Sequence, residues 1–189
     1  IHWLEKFDIN YQMWGQNLSK TVDNLLEEIR SSECVLKNNL PLRIVYVVQL
    51  IIFQDKKILV EKEQVFCDNR NRPRLAPPSE KMKTNENVKD SAIRCLDEEL
   101  QLSMQDVDII STETKPKIRN RISTSYPGLR SRYHLFRVVV STKKLPRNDF
   151  WTHEKNDPFK KNLIIKHKWG WVNPRMVHIN PEMSSFESE

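Results

Sequence analysis

Glu86-Asn87-Val88-Lys89-Asp90-Ser91-Ala92-Ile93-Arg94-Cys95-Leu96-Asp97-Glu98-Glu99-Leu100-Gln101-Leu102 is the stretch on which the fold turns. Val88, Ala92, Leu96 and Leu100 recur every four residues, which predicts a helix over 87–100 with one apolar face. Asp90, Arg94, Asp97 and Glu98 occupy another face. Positions 95, 98 and 99 are related by i, i+3 and i+4, so their side chains converge on one side of the helix. Carboxylates gathered in that way can bind a divalent cation. The plainer reading of the same residues is a solvated face laced by an Arg94–Glu98 pair.

Upstream, the β-branched run from Leu42 to Phe53, the polar turn Gln54-Asp55-Lys56-Lys57 and then Ile58-Leu59-Val60 predict a strand hairpin. Pro73, Pro77 and Pro78 predict an irregular loop between that hairpin and the helix. Arg70, Arg72 and Arg74 alternate within it, a basic triplet read as a solvated loop with phosphate or RNA binding as the alternative. Downstream, strands are expected at Val107–Thr114, Tyr133–Ser141 and Leu163–Val172, with a polar tail from Met183 to Glu189. Near the start, Val22, Leu25, Leu26 and Ile29 predict a helix over Ser19–Arg30, capped by Ser19. Before it, Trp3, Phe7, Tyr11 and Trp14 read as an appended arm that docks on the domain or on a partner.

The helix and its flanks resemble the box of the Nudix superfamily. Glu86 is followed by seven residues and then by Arg94-Cys95-Leu96-Asp97-Glu98-Glu99-Leu100-Gln101-Leu102, at the family's spacing and without insertion or deletion. Glu86, Arg94, Leu96, Glu98, Glu99 and Leu102 agree with the pattern. Glu80 and Gln101 stand where the family has glycines, and Cys95 stands where it has a glutamate. The resemblance covers Leu42 to Asn180, including the late tryptophan strand Lys168-Trp169-Gly170-Trp171-Val172. It implies an α/β fold, a Nudix-type α/β/α sandwich with a mixed sheet, here with an N-terminal helical extension. The implied division is a helical arm over 1–40, the Nudix-like domain over 41–181 and a tail over 182–189. It also implies that Glu98 and Glu99 are catalytic ligands of Mg²⁺ or Mn²⁺, and that Glu86 and Arg94 brace the loop against the helix. The reaction implied is metal-assisted hydrolysis of a nucleoside diphosphate linked to another group.

Cys95 weakens that implication, because a thiol is a poor ligand for a hard cation and must first deprotonate. Glu154, after Phe150-Trp151-Thr152-His153, is a candidate to approach the site from another element; Asp97 lies on a different azimuth of the helix. Gln101 at a position that favours the left-handed conformation costs about 1 kcal/mol relative to glycine.

Ser123-Thr124-Ser125-Tyr126-Pro127-Gly128-Leu129 leads into Arg130, Arg132 and Tyr133, a loop that suits a phosphate or a base as well as an ordinary turn. If substrate binds there, Arg130 or Arg132 clamps an anionic group and Tyr126 stacks on a base. His134, His153, His167 and His178 are scattered without metal-type spacing and read as structural or surface residues.

The 189 residues suit one domain with a terminal extension; 38% are hydrophobic and 30% charged. The net charge of +6 comes from 31 basic and 25 acidic residues, a weak pointer to anionic partners. Cys34, Cys67 and Cys95 are odd in number, which argues for an intracellular, reducing compartment. The cytoplasm and an organelle such as a mitochondrion or plastid both stay open, because the chain begins at Ile1. No apolar run reaches the length of a membrane span, and no Gly-rich phosphate loop, dinucleotide fingerprint or nucleophile elbow is present. Two functional readings survive. One is a metal-dependent Nudix-type hydrolase acting on a nucleotide-type small molecule, weakened by Cys95. The other is a catalytically inactive binding or scaffold subunit, joined to a protein partner through the N-terminal arm or to RNA.

Overall fold

The computed structural model describes residues 1–17, 19–154 and 164–179. In chain order the elements are α1 (His2–Lys6), α2 (Val22–Arg30), β1 (Val35–Leu36), β2 (Leu42–Gln54), β3 (Lys57–Phe66), β4 (Asn71–Ala76), β5 (Ser79–Lys81), α3 (Val88–Leu100), β6 (Asp108–Thr112), β7 (Lys117–Ile122), β8 (Arg130–Ser141), β9 (Phe150–His153) and β10 (Ile164–Val172). A mixed sheet accompanied by a few helices is the α/β class expected from the sequence. No helix among the described residues is long and apolar enough to cross a membrane. Leu163 and the tail from Met183 lie outside the described residues.

The chain divides into two compact units. The first comprises Ile1–Val47, Lys81–Asn87 and Thr114–Phe136, and the second Val48–Glu80, Val88–Glu113 and Arg137–Glu189. The aromatic arm is part of the first unit's core: Leu4, Ile9, Trp14, Leu25 and Cys34 bury together with Val45, Tyr126 and Leu129. Trp14 Nε1 donates to the Pro127 carbonyl at 2.9 Å, and the Lys20 amide donates to the Ser125 carbonyl at 2.8 Å. An indole needs a partner for its N–H once it is buried, and the loop carbonyl supplies one.

Within this unit the helix starts later than its apolar stripe suggested. Thr21, not Ser19, is the N-cap: its hydroxyl accepts from the Asn24 amide at 3.2 Å, and the Asn24 side chain accepts from the Thr21 amide at 3.0 Å. Ser19 instead donates to the Gln16 carbonyl at 2.6 Å. Below the helix lies a buried ionic knot. Glu28 receives Lys20 at 2.8 Å, Lys81 at 2.7 Å and the buried Arg43 guanidinium, and Lys81 also reaches Glu33 at 2.8 Å.

In the second unit the strand order is β6-β8-β2-β3-β10-β9, with β4 on β3; β2 and β8 contribute residues to both units. Asp55 and Lys56 both have positive φ, 49° and 61°, and so form the two-residue turn whose twist matches an antiparallel hairpin. Ile51, Phe53, Ile58, Val60, Val139 and Ile179 make a core cluster. The segment expected to be irregular carries β4, where exposed Pro73 stands opposite Glu63. A proline is tolerated there because β4 lies off the main strand path and its missing N–H breaks no central ladder. Five strands of the described residues went unread: the short β1, β5 and β9, β4 in the segment read as a loop, and β7, whose six residues are all exposed. Helix α3 buries Ala92, Leu96 and Leu100, as its four-residue recurrence required, and Cys95 beside them. It ends at Gln101 with φ 57°, so the left-handed conformation is kept without glycine.

Candidate functional site

The acidic helix delivers its side chains to three different environments. Cys95 is fully buried. Burial pushes its thiol well above the ordinary range, and the carboxylates of Glu99 and Glu80 push further the same way. It stays a neutral thiol and offers no anion to a cation. Glu98 is held by Arg94 at 3.2 Å, and the same guanidinium nitrogen lies 3.4 Å from Glu80. The residue that replaces the first family glycine thus supplies a second carboxylate to Arg94.

Glu99 faces a histidine. His167, on β10, is 2% exposed. Its Nδ1 lies 2.5 Å from Glu61 Oε1 and 3.7 Å from Glu99 Oε2, and its Nε2 lies 2.7 Å from Glu154 Oε2. With a carboxylate on each ring nitrogen, the geometry is that of an imidazolium donating twice. Burial alone would lower its pKa, but the hydrogen bonds to Glu154 and Glu61 and the charge of Glu99 raise it to about 10. Glu99 moves upward too. Burial is the main cause, Glu80, Glu61 and Glu154 add to it, and His167 opposes it, leaving Glu99 at about 8.

Several elements fix this arrangement. β10 pairs with β3 and β9, which sets His167 opposite Gln64 and Thr152. Glu154 continues that pairing through its amide, which donates to the Ile165 carbonyl at 3.0 Å. Trp169, two residues along the same face from His167, is 1% exposed and stacks on the imidazole at 5.9 Å. Its Nε1 donates to Thr152 Oγ1 at 2.8 Å, and Thr152 in turn donates to the Glu99 carbonyl at 2.8 Å. On the opposite face of β10, Lys166 and Lys168 lie over the Trp151 ring. Arg74 Nε holds the other oxygen of Glu61 at 2.7 Å.

Glu61 and His167 are the residues that sequence reading missed. Their signals were present. Glu61 follows the apolar run Ile58-Leu59-Val60 within a strand, where a carboxylate requires a partner. His167 shares the β10 face of Trp169, between two lysines that take the other face. Glu154 does approach from another element, as its position suggested, and Asp97 stays exposed.

The remaining candidates are dispersed. Glu86 belongs to the first unit, where its carboxylate accepts the Lys83 amide at 2.9 Å. Tyr126 is corrected: it is fully buried against Trp14 at 5.1 Å and beneath the Arg43 guanidinium, so it has no face free for a base. Arg130 is exposed, and Arg132 Nε donates to Asn120 Oδ1 at 2.9 Å. The basic triplet engages its own chain, Arg70 with Asp68 at 2.6 Å, Arg72 with Gln64 at 2.9 Å and Arg74 with Glu61.

The donor chemistry tests whether a divalent ion suits the site. Glu61 and Glu154 are occupied by an imidazole, Glu98 by a guanidinium, Cys95 is a buried neutral thiol, and burial pushes the Glu99 carboxyl upward. Among the described residues no group of three or more His, Cys, Asp or Glu side chains is placed to hold a metal ion. These residues do not fit the metal set that the resemblance implied.

Both raised pKa values give stability the same dependence on pH. Each group binds its proton more tightly in the folded chain than in the unfolded one, so its contribution is complete at low pH and fades upward, from 4.5 to about 8 for Glu99 and from 6.5 to about 10 for His167. Urea midpoints measured in steps from about pH 5 to pH 10 should fall, and His167→Gln should flatten the upper part of that fall. A profile identical in the variant would refute the assignment.

No protein-family model matches the sequence, and no curated protein matches it. Solved structures do. The E. coli ORF135 protein is 18% identical, with a TM-score of 0.37, over 70% of this chain and 76% of its own. A Nudix hydrolase from Nitrosomonas europaea is 16% identical, with a TM-score of 0.38, over 70% and 74%. An Ap4A hydrolase from C. elegans is 16% identical, with a TM-score of 0.34, over 74% and 90%. These are likenesses in fold, and no activity is carried over from them.

Proposed function

We propose that the chain is a Nudix-type domain that works as a non-catalytic binding module, its acidic helix occupied by the protein's own cations. The observation that carries this reading is His167, held between Glu61 and Glu154 with Glu99 beside it. A metal-dependent hydrolase needs its carboxylates free to take the ion and to lower the pKa of a bound water. Here the positive charge is supplied by a side chain, which can neutralise carboxylates and cannot present water to phosphorus.

Incubating the purified chain with Mg²⁺ or Mn²⁺ and a panel of nucleoside diphosphate derivatives and capped RNA tests the reading. The expected result is turnover no faster than that of a Glu98→Gln, Glu99→Gln double variant. Metal-dependent turnover that the double variant abolishes would overturn it.

One observation favours the second reading, a weak hydrolase. Glu99, partly exposed beside His167 at 3.7 Å and pushed upward by burial, is placed for general-base work near neutral pH. That reading requires a rate that climbs through this pH and vanishes in Glu99→Gln.

A further inference from the structure

The hairpin β7–β8 belongs to the first unit and is built from residues that the acidic helix does not use. Between Thr114 and Phe136 the chain carries Lys115, Lys117, Arg119, Arg121, Arg130 and Arg132 and no aspartate or glutamate. Those six cations equal the net charge of the entire chain, +6, so the rest of the sequence is balanced. The basic excess that looked diffuse in composition is therefore local.

Register sorts these residues by face. Ile118 stands opposite His134, Asn120 opposite Arg132 and Ile122 opposite Arg130, and directly opposed residues of an antiparallel pair share a face. On that face Tyr46 of β2 stacks on His134, with ring centroids 4.6 Å apart. Tyr46 is 44% exposed, Ile118 54% and Ile122 52%. Among the described residues β7 pairs only with β8, and all six of its residues are exposed. An open sheet face bearing isoleucines, a ring stack and arginines marks an interaction surface, since a monomer gains nothing from leaving such apolar side chains in water.

We propose that this face, centred on Tyr46 and His134 and flanked by Arg130 and Arg132, binds single-stranded RNA. The reading does not depend on what the acidic helix does. Arginines on a sheet surface track phosphates, and an exposed aromatic stack accepts an unpaired base, which a duplex keeps inside its own stack. The isoleucines pack against the edges of a splayed base. The neutral polar groups beside the stack, the Asn120 amide and the His134 ring, suit a ribose 2′-hydroxyl, the group that separates RNA from DNA. Charge alone does not separate RNA from an acidic helix or an anionic vesicle surface; the stack does, because RNA brings planar bases to lay on Tyr46.

The test is fluorescence anisotropy of a labelled mixed-sequence RNA of about 12 nucleotides against the 189-residue chain, in about 0.15 M salt. Saturable binding that weakens as salt rises is expected. Tyr46→Ala should weaken it roughly tenfold while Tyr46→Phe keeps it. The Arg130→Glu, Arg132→Glu double variant should lose it by roughly a hundredfold. Circular dichroism on each variant confirms that the fold persists, as these positions are solvent-facing or half-buried. Absence of saturable binding, or equal affinity in Tyr46→Ala, would overturn the proposal. So would equal affinity for DNA of the same sequence, for the duplex, for phosphatidylserine vesicles or for polyglutamate.

Discussion

Glu28→Gln is expected to cost about 3–5 kcal/mol of stability, read as a loss of urea midpoint at unchanged slope. The substitution keeps the side chain's size and removes its charge. Arg43, 3% exposed, then loses the carboxylate that justifies its burial. The tyrosine ring beneath it offers a cation–π contact at 5.1 Å but no counter-charge. Lys20 and Lys81 lose less, because Lys20 is partly solvated and Lys81 keeps Glu33. Replacing both members of the buried pair, as in Glu28→Leu with Arg43→Met, should cost much less than the sum of the single changes. A loss below about 1 kcal/mol for Glu28→Gln would mean that water reaches Arg43.

The same knot sets an acid limit. Burial would raise the Glu28 carboxyl, but Lys81, Lys20 and Arg43 outweigh it and hold it far below the ordinary range. Its folded pKa is depressed, so its contribution is complete above 4.5 and disappears as pH falls below that value. The second unit's Glu99 and His167 shift the opposite way. The chain is therefore expected to lose the first unit's network in acid and the second unit's in alkali.

His167→Ala is expected to cost about 3 kcal/mol and to change what the site binds. Without the imidazolium, Glu61, Glu99 and Glu154 lose the cation they share, while Arg74 stays on Glu61. Three carboxylates that have lost a shared cation are what a divalent ion stabilises. Adding Mn²⁺ should raise the melting temperature of His167→Ala and leave the unsubstituted chain unmoved. If Mn²⁺ leaves the variant unmoved as well, the carboxylates do not converge once the ring is gone, and the idea that His167 stands in for an ion fails.

The helix that anchors this site was legible because its signal is local. Four apolar residues at four-residue spacing across thirteen positions without proline or glycine fit one face of a helix, and the hairpin of β2 and β3 announces itself through β-branched runs around a short polar turn. The Nudix-like spacing of Glu86, Arg94, Glu98 and Glu99 rested on the same local register. What surrounds Glu99 was not legible. Glu61, Glu154 and His167 lie 38, 55 and 68 residues away from it in the chain, and only pairing among β3, β9 and β10 gathers them. Tyr126 shows the reverse error. Its neighbours Pro127 and Gly128 read as an exposed turn, yet the turn folds the ring inward beneath Trp14, a residue more than a hundred positions earlier. β7 escaped notice for a third reason: with all six residues exposed, it lacks the alternation that marks a half-buried strand.

Calorimetric titration of the 189-residue chain with Mn²⁺ near neutral pH asks whether the acids around the helix are already neutralised from within. No saturable site tighter than about 1 mM is expected, for Mn²⁺ or for Mg²⁺. A stoichiometric site in the micromolar range that disappears in Glu99→Gln would contradict it.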